Sequence, residues 1–238
     1  MSDPVLELAG VSKDYHGLRP LRIQQLTVAA GQQLALIGLD QPMAEVFVNL
    51  LTGATLPDLG EIRVFGQLTS AIVDSAEWLT VVDRFGIVSE RAVLLDGLSV
   101  LQNLAVPFTL DIEPLPDDIS ARAADLAQEV GLPPSEWQNP VAALGMASRA
   151  RVRLARALAL DPSLLLLEHA TAVVGRDEVA ALGGQIRAVA GRRGAAIVAL
   201  TADRAFAEAV ADRVLTLEAA SGRLTERRAS RWFGRLLG

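Results

Sequence analysis

The stretch from Gln33 to Gly53, QLALIGLDQPMAEVFVNLLTG, restricts the folds open to this chain more than any other. Residues 33–37 are a short apolar run stopped by Gly38, the pattern of a strand buried on both faces. Met43, Val46, Phe47, Leu50 and Leu51 then recur at i, i+3, i+4, i+7 and i+8, which is one face of a helix. Short apolar runs return at Leu164–Leu167 and Ala196–Leu200, with helical patterns beside them. Buried strands alternating with helices predict a parallel α/β sheet with helical crossovers.

A buried strand, a glycine turn and a helix start are also the context of a phosphate-binding loop. Such a loop needs G-x-x-x-x-G-K-[ST]. Backbone N–H groups wrap the phosphates, the lysine reaches the β and γ oxygens, and the hydroxyl ligates Mg²⁺. Here Gly38 is followed by Leu39, Asp40, Gln41 and Pro42. Met43, Ala44 and Glu45, with Val46 after them, stand where Gly, Lys and Ser/Thr belong. Pro42 has no N–H to offer. Asp40 and Glu45 bring carboxylates to a helix start that attracts anions, which also describes a helix satisfying its own N-terminus. The chain's one lysine is Lys13, far from this turn in sequence.

Hydrophobic residues make up 51% and charged residues 21% of the 238, enough for a large core and too apolar for disorder. A net charge of −6 gives no reason to expect nucleic-acid binding. Cysteine is absent, which excludes disulfides, zinc–thiolate sites and thiol catalysis. The sequence has no apolar run of 18 residues, and MSDPVLELAG lacks a basic-then-apolar leader. The expectation is a cytoplasmic chain whose membrane connection runs through a partner.

Strands are predicted over 5–8, 21–28, 61–65, 85–88, 213–218 and 222–225, and helices over 70–83, 146–160, 176–190 and 203–211. Between about 90 and 145, local helices at 98–106, 118–130 and 134–138 are separated by proline-rich joints, which reads as a helical subdomain. The chain from 1 to 222 is expected to be one domain, with 223–238 a basic amphipathic tail. Written as a helix from Thr225, that tail groups Trp232, Phe233 and Leu236 against Arg227, Arg231 and Arg235. It suits docking on a membrane or partner, or packing on its own domain.

In order and spacing, residues 5–224 resemble the ATP-binding cassette subunit of ABC transporters. The resemblance is carried by GVSKDY, TVAAGQQLALIG, NLLTG with GEIRVFG, FGIVSERAVLLDGLSVLQNLAVPF, RVRLARALALDPSLLLLEHAT and IVALTADRAFAEAVADRVLTL. It implies an α/β P-loop NTPase, RecA-like core with an N-terminal antiparallel β subdomain and an inserted helical subdomain. It further implies ATP and Mg²⁺ as cofactors, and an adenine stacked on Tyr15, although an aromatic in a loop beside a sheet is more often there for packing.

The family's site positions are changed one by one. The Q-loop glutamine falls on Glu90, and the Leu-Ser-Gly-Gly-Gln signature on Leu144, Gly145, Met146, Ala147 and Ser148. The Walker B aspartate falls on Glu168, the general-base glutamate on His169 and the switch histidine on Ala202. Glu168 and His169 also suit a polar cap on a buried strand. In the family each ATP lies between the phosphate loop of one cassette and the signature of the other, so a chain altered in both affects both sites of any dimer. The expectation is therefore a degenerate cassette, with no catalytic residue, no bound metal and no cofactor. It would work as a structural or regulatory partner of a transmembrane permease, in a homodimer or heterodimer of cassettes. An ATP-hydrolysing subunit with an atypical site and a soluble regulator outside transport are the alternatives. LSVLQNLAVPF most resembles cassettes of Mla-type lipid trafficking or of lipoprotein release.

Overall fold

The computed structural model describes residues 3–226. The chain opens with β1 (Pro4–Lys13) and β2 (Leu21–Ala29), and β3 (Gln33–Ile37) leads into α1 (Gln41–Leu51). β4 (Leu59–Val64), β5 (Gln67–Leu68), α2 (Ser75–Val82) and β6 (Phe85–Ser89) follow. α3 (Val100–Ala105) and α4 (Asp117–Glu129) belong to the helical part, and α5 (Met146–Leu158) returns the chain to β7 (Leu164–Glu168). α6 (Arg176–Arg193), β8 (Ala196–Leu200), α7 (Arg204–Val210), β9 (Arg213–Glu218) and β10 (Arg223–Glu226) complete it.

Two sheets result. One is antiparallel with order β2-β1-β4-β5; the other has order β10-β9-β3-β8-β7-β6. In the second, β9, β3, β8, β7 and β6 are parallel, and β10 pairs antiparallel with β9. Every residue of β7 and β8 is buried, as expected for strands covered on both faces. Alternate residues sort into two cores. Leu34, Leu36, Leu164, Leu166, Val198 and Leu200 pack toward α1 and the antiparallel sheet. Ala35, Leu165, Leu167, Ile197 and Ala199 pack toward α5, α6, α7 and the helical part. The period of 2 in a strand thus divides one apolar run between two cores.

The predicted α/β core, the antiparallel sheet and the helices between 90 and 145 are all present, with local differences that have local causes. The helix predicted over 70–83 is a 3₁₀ turn at Thr69–Ala71 and then α2, because Asp74 caps α2 by accepting from the Glu77 N–H at 2.8 Å. The segment 134–138 is a single 3₁₀ turn, Pro134–Glu136. A helix from Thr225 is excluded: Thr225 lies in β10, opposite Thr216. The remaining tail residues, including Arg227, Arg231, Trp232, Phe233, Arg235 and Leu236, lie outside the described residues. In the helical part, Asn103 is fully buried, with its side chain bonded to the N–H of Leu95 and the carbonyls of Leu95, Leu98 and Ser99. This fixes the loop that follows β6 against α3.

Candidate functional site at the carboxyl edge of the parallel sheet

The turn from β3 into α1 is built from backbone geometry. Gly38 has φ +104°, and a Cβ there would lie 2.9 Å from the Leu217 carbonyl oxygen, so only glycine fits. The Asp40 side chain accepts from the Met43 N–H at 2.9 Å, and the Asp40 carbonyl accepts from the Ala44 N–H at 2.9 Å. Pro42 sits in the first helical turn, where its missing N–H costs nothing. Ala44, at the lysine position, is fully buried in the core, and Met43 is buried beside it. Glu45 and Val46 are half-buried, while Gln41 and Pro42 are exposed.

Gln41 and Glu45 both point toward the end of β7, where Glu168 is fully buried. Glu168 accepts from Gln41 Nε2 at 2.6 Å, Arg91 Nε at 3.0 Å and Arg91 Nη2 at 2.5 Å. Arg91 Nη1 lies 3.1 Å from Glu45. One guanidinium therefore joins the loop after β6, the start of α1 and the end of β7, with the bidentate geometry of strong arginine–carboxylate pairs. The hydrogen bonds to Glu168 raise the pKa of Arg91 above its ordinary value, outweighing partial desolvation; Coulomb attraction to Glu168 and Glu45 adds to the rise.

Glu90, at the Q-loop glutamine position, turns the other way. Arg153 on α5, itself buried, holds it at 3.0 Å and 2.8 Å. Arg153 Nε also donates to the Ala92 carbonyl at 3.4 Å, and Arg156 Nη1 to the Val93 carbonyl at 2.7 Å. Arg91, Arg153 and the Gln41 contact were missed in sequence. A signal existed: with the loop lysine gone, Glu45 and Glu168 have no cation nearby in sequence, and Arg91 immediately follows Glu90 in the loop after the strand that neighbours β7.

The other predicted residues are spread around this edge. His169 follows Glu168 with φ 45°, and its Nε2 is buried without a hydrogen-bond partner. Ala202 is exposed just past β8. Tyr15 is half-buried against the core shared with α1; burial, and then the Asp40 carboxylate, raise its pKa. Leu144 to Ser148 form the start of α5: Leu144 and Ala147 are buried, Gly145 and Met146 exposed, Ser148 half-buried. Among the described residues, no hydrogen bond or ion pair joins this segment to Arg91, Glu45 or Glu168. No group of three or more His, Cys, Asp or Glu among them gathers to hold a metal.

A glycine-turned strand–helix junction beside an acid-tipped parallel strand, with an antiparallel sheet and a helical insertion, defines a P-loop NTPase cassette. The chain belongs to the ABC transporter family, whose model matches residues 21–172. It is 32% identical to the methionine import ATP-binding protein MetN of Caulobacter vibrioides over 91% of this chain and 64% of that protein. It is 30% identical to the lipoprotein-releasing system ATP-binding protein LolD of Alcanivorax borkumensis over 87% of this chain and 91% of that one. The chain spans about three-fifths of the length of the MetN relatives, such as that of Brucella abortus, of which it covers 58%. The fold superposes on the ATP-binding cassette MJ0796, a dimer bound to ADP and Pi, with TM-score 0.74 and 19% identity over 94% of this chain and 99% of that one. It also superposes on cbiO1 of Clostridium perfringens with TM-score 0.79 and 20% identity, covering 94% and 88%.

The expectation of no cofactor is overturned by these findings. The family is shown, its relatives are ATP-binding proteins by name, and ATP with Mg²⁺ is what membership implies. The donor set here suits a cation: Glu168 contacts the Arg91 guanidinium through Nε and Nη2 and Glu45 contacts it through Nη1, so a positive group already stands between the two carboxylates. Those two carboxylates are the groups that would hold a divalent ion at this position. Such an ion draws charge from phosphate oxygens when bound.

Proposed function

We propose that this chain is the cassette subunit of a membrane transporter, holding a transmembrane permease and pairing with a second cassette while turning over ATP slowly or not at all. The observation that carries this reading is the state of the two phosphate-handling positions. Ala44 is packed into the core where a lysine would reach out, and Glu168 is held by Arg91 and Gln41, so a metal has to compete for it. Phosphoryl transfer depends almost entirely on positioning and electrostatic stabilisation, and both are weakened here. The changed signature positions, Leu144 to Ser148, extend the loss to the partner's site in any dimer.

Among the described residues no helix is long and apolar enough to cross a membrane, which supports a peripheral place at the inner face, reached through the permease. LSVLQNLAVPF and the LolD relative favour lipid or lipoprotein cargo. Release of phosphate from radiolabelled ATP by the purified chain tests the reading: background release is expected, and sustained turnover overturns it. One observation favours a second reading, an active subunit with an atypical site: the unpartnered His169 Nε2 beside Glu168. Turnover in the native chain that is lost in His169→Ala would establish it.

A further inference from the structure

The loop after β6 carries two adjacent charges pulled in opposite directions, Glu90 toward Arg153 on α5 and Arg91 toward Glu168 and Glu45. The two ends of the Arg91–Glu168 pair differ sharply. Glu168 is 0% exposed, whereas the Arg91 side chain is 41% exposed. A carboxylate buried to that degree needs a partner charge at all times, because leaving it unpaired is strongly unfavourable. The guanidinium, by contrast, can leave: it sits at the solvent side of the cluster on a loop residue.

We propose that Arg91 is an exchangeable internal cation, which fills the position between Glu168 and Glu45 and yields it to the divalent ion that arrives with ATP. The proposal deepens the reading above, since it rests on the cassette's nucleotide site and names what governs access to it. Exchange keeps Glu168 paired in both states, so neither state strands a buried charge. It is also local. Glu90 remains on Arg153, and the carbonyls of Ala92 and Val93 remain on Arg153 and Arg156, while Arg91 alone swings out. Departure of the guanidinium unties the loop after β6 from α1 and β7, so occupancy of the cation position is transmitted to that loop. A ligand shifts such an equilibrium only through its different affinity for the two states, and here the difference is the competition for one pair of carboxylates.

Mn²⁺ alone, in place of Mg²⁺, is the probe, with its binding read by electron paramagnetic resonance and by thermal shift on the whole chain. Arg91→Gln removes the competitor, and about tenfold tighter Mn²⁺ binding than in the native chain is expected. Arg91→Lys keeps a charge beside Glu168 but cannot span to Glu45, and about threefold tighter binding is expected. Should Arg91→Gln fail to fold, Arg91→Lys decides alone. Equal or weaker Mn²⁺ binding in the folded variants overturns the proposal. Phosphate release measured on the same samples separates the two readings. Turnover in the native chain with tighter Mn²⁺ binding in the variants sinks the slow-ATPase reading only, and background turnover with unchanged Mn²⁺ binding sinks the exchange only.

Discussion

At the amino edge of the parallel sheet, Arg193 grips Glu129 at 2.9 Å and 2.6 Å; at the carboxyl edge, Arg91 grips Glu168 at 3.0 Å and 2.5 Å. Both pairs are bidentate, and in both the carboxylate hydrogen bond raises the arginine pKa. Their surroundings differ. Arg193 and Glu129 are 19% and 22% exposed, and Arg193 also donates to the Leu158 carbonyl at 2.8 Å and to Asp161 at 3.2 Å. That pair ties the end of α6 to α4 and to the entry of β7, and either partner can take water if the other is lost. The Arg91 pair buries its carboxylate completely, beside a helix start where nucleotide phosphates are handled in this family. The same chemistry is a brace at one edge and a stopper at the other.

If that contrast is right, the two arginines answer substitution differently. Arg91→Gln leaves Glu168 buried without a partner charge and should lose about 3 kcal/mol, read as a Tm fall of roughly 6–12 °C in metal-free buffer. Adding Glu168→Leu to Arg91→Gln should recover most of that loss, since an apolar side chain replaces a stranded charge. A double variant no more stable than the single one would mean that Arg91 holds the loop rather than the carboxylate. Arg193→Gln should cost about 1–2 kcal/mol, because Glu129 rehydrates, and its Tm deficit should be indifferent to Mn²⁺. A metal-dependent recovery in Arg193→Gln would erase the distinction between the two edges.

A smaller effect lies outside both edges. Lys13 donates to Asp58 at 2.8 Å, and this bond, with the Asp14 N–H, holds the Asp58 carboxyl below its ordinary value of 3.8. A depressed carboxyl contributes stability that is present above pH 3.8 and lost as pH falls through its lower folded value. Asp58→Asn should therefore be slightly less stable at neutral pH and show a flatter acid limb in thermal melts. An unchanged acid limb would mean that this exposed pair contributes nothing.

The frame of the molecule was legible because it depends on residue class. Leu164–Leu167 and Ala196–Leu200 read as buried strands from their apolar runs alone, and the α1 face follows from its spacing. The misread elements are ones in which a polar side chain or a distant strand decides. Asp74 starts α2 late, and pairing with β9 holds Thr225 in the strand expected over 222–225, so no helix starts there. The site was less legible. The Glu168–Arg91 bond joins residues 77 apart in sequence, and it forms because β6 and β7 are neighbours, a fact of topology rather than of local pattern. Glu90 drew attention by its position in the family pattern, while Arg153, 63 residues away, holds it elsewhere. The missing lysine suggested a chain without cofactors, and membership of the ABC transporter family corrects this; the cation that stands beside Glu168 comes from another loop.

A crystal structure of the native chain grown with ATP and Mg²⁺ shows whether Arg91 gives way to a metal at Glu168. Mg²⁺ is expected on Glu168, with the Arg91 guanidinium released from that carboxylate and Glu90 still on Arg153. Nucleotide and Mg²⁺ bound with the Arg91–Glu168 pair intact would contradict it.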